Sequence, residues 1–147
     1  MNKSDLATFN RHHDTGFISV APEESRDLRA YLIYKGYGVI TLNNQPSFFV
    51  VDLKNKGTLQ SDLIKLGKLY GQDKVTFAKA ASDYYQISLS TQTNSSQTIS
   101  LSELLGDEPK FSAIASSTYV NGSRLSIPEL RSCHHYAQDV IKKFSES

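Results

Sequence analysis

Apolar residues recur at a helical interval in three stretches of the chain and alternate or run together in several others. The order of these two patterns is the main fold signal. Leu59, Leu63, Leu66 and Tyr70 stand at steps of four, three and four, which draws one apolar stripe along a helix. Thr58 is placed to cap its start, with Asp62 about one turn in, and Gly71 to stop it. Leu28, Tyr31 and Leu32 keep helical spacing after Pro22, Glu23 and Glu24. Proline suits a first helical turn and the acids favour the positive end of the helix dipole; Gly36 is the matching stop. A last helix running to about Phe144 is marked by Leu130, Cys133, Ala137, Ile141 and Phe144. Ser126-Ile127-Pro128-Glu129 opens it as a capping box.

Between these helices lie strand patterns. Residues 17–20 form a short apolar run between Gly16 and Pro22, and residues 37–42 alternate around Val39 and Ile40. Ser47-Phe48-Phe49-Val50-Val51-Asp52-Leu53 is the most continuous apolar run and rich in β-formers, so a central strand is expected. Residues 75–78 and 84–89 follow, the second with Tyr85, Ile87 and Leu89 at period two. The resulting order is strand, helix, strand, strand, helix, strand. That is the ferredoxin-like βαββαβ order, a fold so widely used that it carries little functional information.

Beyond it, a turn is expected near Asn94-Ser95-Ser96, a strand at Ile99 and Leu101, and a long β stretch over residues 111–120. Asn121-Gly122 is a strong hairpin signal, with Leu125 and Ile127 able to begin the return strand. The expectation is one α+β domain over residues 15–147. Its mixed or antiparallel sheet would have a ferredoxin-like core plus extra β-hairpins and a C-terminal helix. Residues 1–14 are polar and read as an N-terminal arm.

Composition narrows the function classes. The chain has 147 residues, with 16 Lys and Arg against 15 Asp and Glu, a net charge of +1. A dedicated nucleic-acid binder shows a clearer basic excess. Cys133 is the only cysteine, so neither an intramolecular disulfide nor a cysteine metal cluster can form. Nothing near Met1 resembles a signal peptide and no segment approaches the ~18 apolar residues of a membrane span. A cytoplasmic protein without a membrane partner is expected.

Several stretches together resemble a small, mostly phage-borne and bacterial family of unknown function. They are Thr15-Gly16-Phe17-Ile18-Ser19-Val20, Gly36-Tyr37-Gly38, Ser47-Phe48-Phe49-Val50-Val51, residues 66–75 with Leu66-Gly67 and Tyr70-Gly71-Gln72-Asp73-Lys74-Val75, and Asn121-Gly122-Ser123-Arg124. The resemblance implies a phage or mobile-element origin, with the host cytoplasm as location, and supplies no known reaction. Family members carry polar Arg and Asn residues where the first helix begins, a Glu before the Ser-Phe strand and a Ser after Gln-Asp. Here those places hold Ala21-Pro22-Glu23-Glu24-Ser25-Arg26, Pro46 and Lys74. A site built on those polar residues in the family is eroded or rebuilt in this chain.

Candidate chemistry is sparse. Gln72 and Asp73 sit between a helix stop and a strand. Either they bond the turn backbone, as both residue types do well, or they line a pocket at a strand mouth. With Lys74, Arg124 and Tyr37 they are the candidate ligand-binding residues. Lys54, Lys56, Lys65, Lys68 and Lys74 make the region around the second helix the most basic part of the chain, a solvated face or a surface for an acidic partner or phosphate. His12-His13-Asp14 and Cys133-His134-His135 are the metal-capable clusters. Adjacent histidines point in different directions and lack chelating spacing, so no metal is expected. No P-loop, dinucleotide fingerprint or nucleophile elbow occurs, and no cofactor is expected.

Two functions follow as expectations. The first is a non-enzymatic binding protein of phage or mobile-element type. It would act on a host protein, defence proteins included, or sequester a small ligand such as a nucleotide. The second is a small metal-independent phosphodiester hydrolase or nuclease using His12 or His13 with Arg124, since histidine titrates in the right range and arginine meets phosphate well. A self-associating accessory protein, and so a homo-oligomer, is a third reading.

Overall fold

A computed structural model describes residues 3–42, 47–89, 96–99, 119–120, 123–124 and 127–146. Its elements run α1 (Lys3–His12), β1 (Thr15–Ser19), a 3-10 turn (Pro22–Glu24), α2 (Ser25–Tyr34), β2 (Gly38–Leu42) and β3 (Ser47–Val51). They continue with α3 (Leu59–Leu69), β4 (Lys74–Ala78), β5 (Tyr84–Ser88), β6 (Ser96–Ile99), β7 (Tyr119–Val120), β8 (Ser123–Arg124) and α4 (Ile127–Glu146).

The fold is α+β. A six-stranded sheet has the order β2-β3-β1-β4-β5-β6, with every neighbouring pair antiparallel. β3 lies between β1 and β2, and β1 lies between β3 and β4, so α2 and α3 each connect strands that have another strand between them. β7 and β8 pair separately, Val120 opposite Ser123. The expected strand and turn residues at 90–95, 100–118, 121–122 and 125–126 lie outside the described part.

Alternation along each strand divides the apolar residues between two faces. On one face, Ile18, Val39, Phe48, Val50, Val75 and Phe77 meet Leu28 and Leu32 of α2, Leu59, Leu63 and Leu66 of α3, and Ala137 and Val140 of α4. Ile141 and Phe144 pack against the same cluster. The stripe expected on the last helix therefore holds where its side chains are described; those of Leu130 and Cys133 lie outside. On the other face, Phe17, Ile40, Phe49, Val51, Ala78 and Tyr84 meet Leu6 of α1, with Phe9 alongside. Burying each Val, Leu, Ile or Phe side chain of these clusters stabilises the fold by about 1.5–3 kcal/mol.

Both helix stops expected from glycine are present. Gly36 has φ +95° and Gly71 φ +67°, the left-handed region that costs glycine nothing. The Tyr37 amide donates to Leu32 O and the Gly36 amide to Ile33 O, each at 3.0 Å. The Gln72 amide donates to Gly67 O at 2.8 Å and the Gly71 amide to Lys68 O at 3.2 Å. Both are Schellman closures. Gly16 is required for a different reason. A Cβ there would stand 2.4 Å from Leu63 Cδ1 and 2.7 Å from Thr76 O, so its lack of a side chain lets α3 approach the sheet.

Three expectations need correction. Residues 3–12 form a helix rather than an arm. Leu6 is fully buried, and Asn10 is stapled to the β4–β5 turn through Asn10 Nδ2 to Ser82 O at 3.0 Å and Ala81 N to Asn10 O at 2.7 Å. Tertiary contact supplies what the polar sequence lacks. The second α-helix begins at Ser25, because Pro22–Glu24 closes a 3-10 turn first, with Ser25 Oγ donating to Pro22 O at 2.8 Å. Thr58 stands at the N-cap of α3 but its side chain makes no capping bond. It meets the Tyr37 hydroxyl at 3.0 Å instead.

No helix among the described residues is long and apolar enough to cross a membrane.

Candidate ligand groove

α1 packs on the second face through Leu6, with Phe9 alongside, against Phe17, Ile40, Phe49, Val51, Ala78 and Tyr84. Beyond Phe17 on β1 and Phe49 on β3 the side chains on that face change from apolar to polar. Ser19 is the next residue after Phe17 on the same face of β1, and Ser47 the next beyond Phe49 toward the start of β3. Register then aligns two rows across the sheet. Leu42, Ser47 and Ser19 are cross-strand partners in one row. Phe17, Thr76 and Gln86 are partners in the next. These six, with Val75 and the segment Gln72, Asp73 and Lys74, line a groove of about 290 Å³.

The turn after α3 delivers that segment. The Schellman closure at Gly71 turns the chain, and the Leu89 amide donates to Asp73 O at 2.8 Å, so the Asp73 backbone is already held against β5's end. Lys74 then enters β4 opposite Ser88.

Much hydrogen-bonding capacity in the groove is loosely used. The Ser19 and Ser47 hydroxyls bond each other at 2.7 Å, leaving one hydroxyl proton of the pair to donate elsewhere. Gln72 Nε2 reaches Tyr70 O at 3.4 Å and Lys74 Nζ reaches Gln86 Oε1 at 3.5 Å, both at the weak end of the range. Among the described residues the ion pair is Arg26–Asp27 at 3.3 Å, and neither Asp73 nor Lys74 joins one. Both of those side chains are exposed.

Gln72, Asp73 and Lys74 are thus brought together on one groove. Tyr37 is not. It is fully buried, donates its hydroxyl to the Asp62 carboxylate, and anchors α3 to the end of α2. Burial first, then the bond to Asp62, raises its pKa, against a smaller lowering by Thr58. Arg124 ends β8; its side chain lies outside the described residues. His12 is exposed, and neither it nor His13 lines the groove. His13 Nδ1 sits 3.1 Å from both Asp52 O and Asn55 Oδ1. Two acceptors there place the proton on Nδ1, a bond that ties the end of α1 to the loop after β3. No group of three or more His, Cys, Asp or Glu that could hold a metal ion occurs among the described residues.

No family model, curated protein or solved structure matches the chain. The groove is therefore read from its own chemistry. Its contributors Ser19, Ser47, Thr76 and Gln86 escape sequence reasoning because they come from four strands and meet only through register. The alternation of Phe17 with Ser19, and of Phe49 with Ser47, is the signal that could have pointed to them: an apolar face that turns polar at one end.

The lysines also disperse. Lys56 Nζ donates to Lys35 O, the helix C-terminus of α2, and lies 5.5 Å from the Tyr37 ring centroid. Both contacts favour a cation there, which accounts for Lys56 without a ligand.

Proposed function

We propose that this chain is a non-enzymatic binding protein that holds a small polar ligand in the groove beside the Ser19–Ser47 pair of its sheet. One observation carries the reading. Hydroxyl and carboxamide side chains from β1, β3, β4, β5 and the α3–β4 turn converge on one concavity with their bonding capacity only partly used. The volume lies at the small end of ligand sites, which favours sequestering a metabolite over gripping a host protein. The phage or mobile-element setting, action against host defence and the host cytoplasm follow from the family resemblance. The order β2-β3-β1-β4, with α2 and α3 as the two connections, supports reading this half as a ferredoxin-like unit.

The test is a thermal-shift screen with neutral, zwitterionic and phosphorylated small metabolites. It compares the native chain with Gln86→Trp, a substitution that fills the groove from β5. Ligands of the groove raise the melting temperature of the native chain and not that of the variant. Equal shifts in both, or none in either, would contradict the proposal.

A further inference from the structure

We infer that the groove takes an uncharged, polyhydroxylated ligand of about monosaccharide size. The inference rests on the proposed binding role and names its ligand class. Three hydroxyls, from Ser19, Ser47 and Thr76, and two carboxamides, from Gln72 and Gln86, line the concavity. Each of these groups both donates and accepts hydrogen bonds. The ligand groups that match such a surface in either direction are themselves hydroxyls.

Charge argues the same way. Asp73 and Lys74 bring one negative and one positive group to the lining, and they cancel. A phosphate would meet a single ammonium, already turned toward Gln86 Oε1 at 3.5 Å, beside a repelling carboxylate. A cation would meet the reverse. A ligand hydroxyl, by contrast, donates well to the Asp73 carboxylate, a charge-assisted bond. Phe17 and Leu42 complete the lining and offer the C–H faces of a sugar ring an apolar surface. A groove of about 290 Å³ holds one such ring rather than a chain of them.

The experiment is a ¹H–¹⁵N correlation titration of the full chain, following the side-chain amide signals of Gln72 and Gln86 and the backbone amides of Ser19 and Ser47. The probes are D-glucose, D-galactose and D-ribose, with glycine as zwitterion and inorganic phosphate as anion. Saturable shifts at those signals with at least one sugar are expected. Asp73→Asn should weaken that sugar about tenfold, the worth of one charge-assisted hydrogen bond. Shifts at those signals with glycine or phosphate and with no sugar would overturn the ligand class and leave the groove as a binding site. Sugar shifts confined to other residues would overturn the ligand class as well. No shift at the groove with any probe would overturn both the class and the site.

Discussion

Ser19 and Ser47 face each other across β1 and β3, hydroxyl to hydroxyl at 2.7 Å. The pair joins the two layers of the account. It is a cross-strand contact that helps hold the register, and it forms part of the polar floor of the groove. A hydroxyl pair of this kind contributes roughly 0.5–1 kcal/mol. Ser19→Ala and Ser47→Ala, alone and together, should therefore show a coupling of that size in a double-mutant cycle by urea unfolding. Additive effects would mean that the pair does not help hold the register.

Gly16 tests the approach of α3 to the sheet. Gly16→Ala places a methyl against the backbone oxygen of Thr76 as well as against Leu63, so side-chain motion alone cannot relieve it. A loss of about 1–3 kcal/mol is expected from overpacking. Gly57→Ala is the comparison. Its φ is +79° and nothing lies within 4 Å of the added carbon, so only backbone strain of about 1 kcal/mol applies. Denaturant melts of the two variants give the ranking directly.

Asp52 is fully buried between β3 and the loop that leads to α3, 1% exposed. Its carboxylate accepts the Lys56 amide at 3.1 Å and the Gly57 amide at 3.0 Å. Asp52→Ala leaves both donors without this partner and should cost about 2–4 kcal/mol. Asp52→Asn keeps one acceptor oxygen and should recover a substantial part. Equal losses in the two variants, read from melting temperatures, would show that the amide bonds contribute little.

Tyr70 carries a buried hydroxyl with no hydrogen-bond partner among the described residues. Burial chiefly, then the negative charges of Glu24, Asp27 and Asp139, push its pKa up to about 12 from 10.0. The folded state thus keeps the proton that the unfolded chain releases near pH 10, so stability holds below that pH and falls as pH rises toward 12. Tyr70→Phe should be neutral or slightly stabilising at neutral pH, since it deletes an unpaired polar group. It should also flatten the alkaline decline. Urea midpoints followed from neutral to alkaline pH would show both effects, and an unchanged decline would contradict the assignment to Tyr70.

The sequence made the helical half of this picture legible, because its signals are local. Leu59, Leu63 and Leu66 declare one face of α3 within eight residues, and all three are fully buried. Gly36 and Gly71 mark stops that any L side chain would strain. Tyr85, Ile87 and Leu89 show period two, and all three pack against the helical face of the sheet. α1 was not legible, since Leu6 and Phe9 are too few for a stripe and become meaningful only beside Phe17, Phe49 and Tyr84. The site divides in the same way. Gln72, Asp73 and Lys74 are contiguous and stand out after a glycine stop. Ser19, Ser47, Thr76 and Gln86 meet through register alone. Tyr37 reads from sequence as a candidate ligand-binding residue because nothing local shows that Asp62, 25 positions on, takes its hydroxyl.

That the groove beside the Ser19–Ser47 pair is a ligand site is tested most directly by the melting-temperature difference between the native chain and Gln86→Trp. A groove ligand at a hundredfold excess over its Kd should stabilise the native chain by about 2.7 kcal/mol, roughly 5–10 °C. The variant should not respond. A ligand that raises both melting temperatures equally would place binding elsewhere and contradict the account.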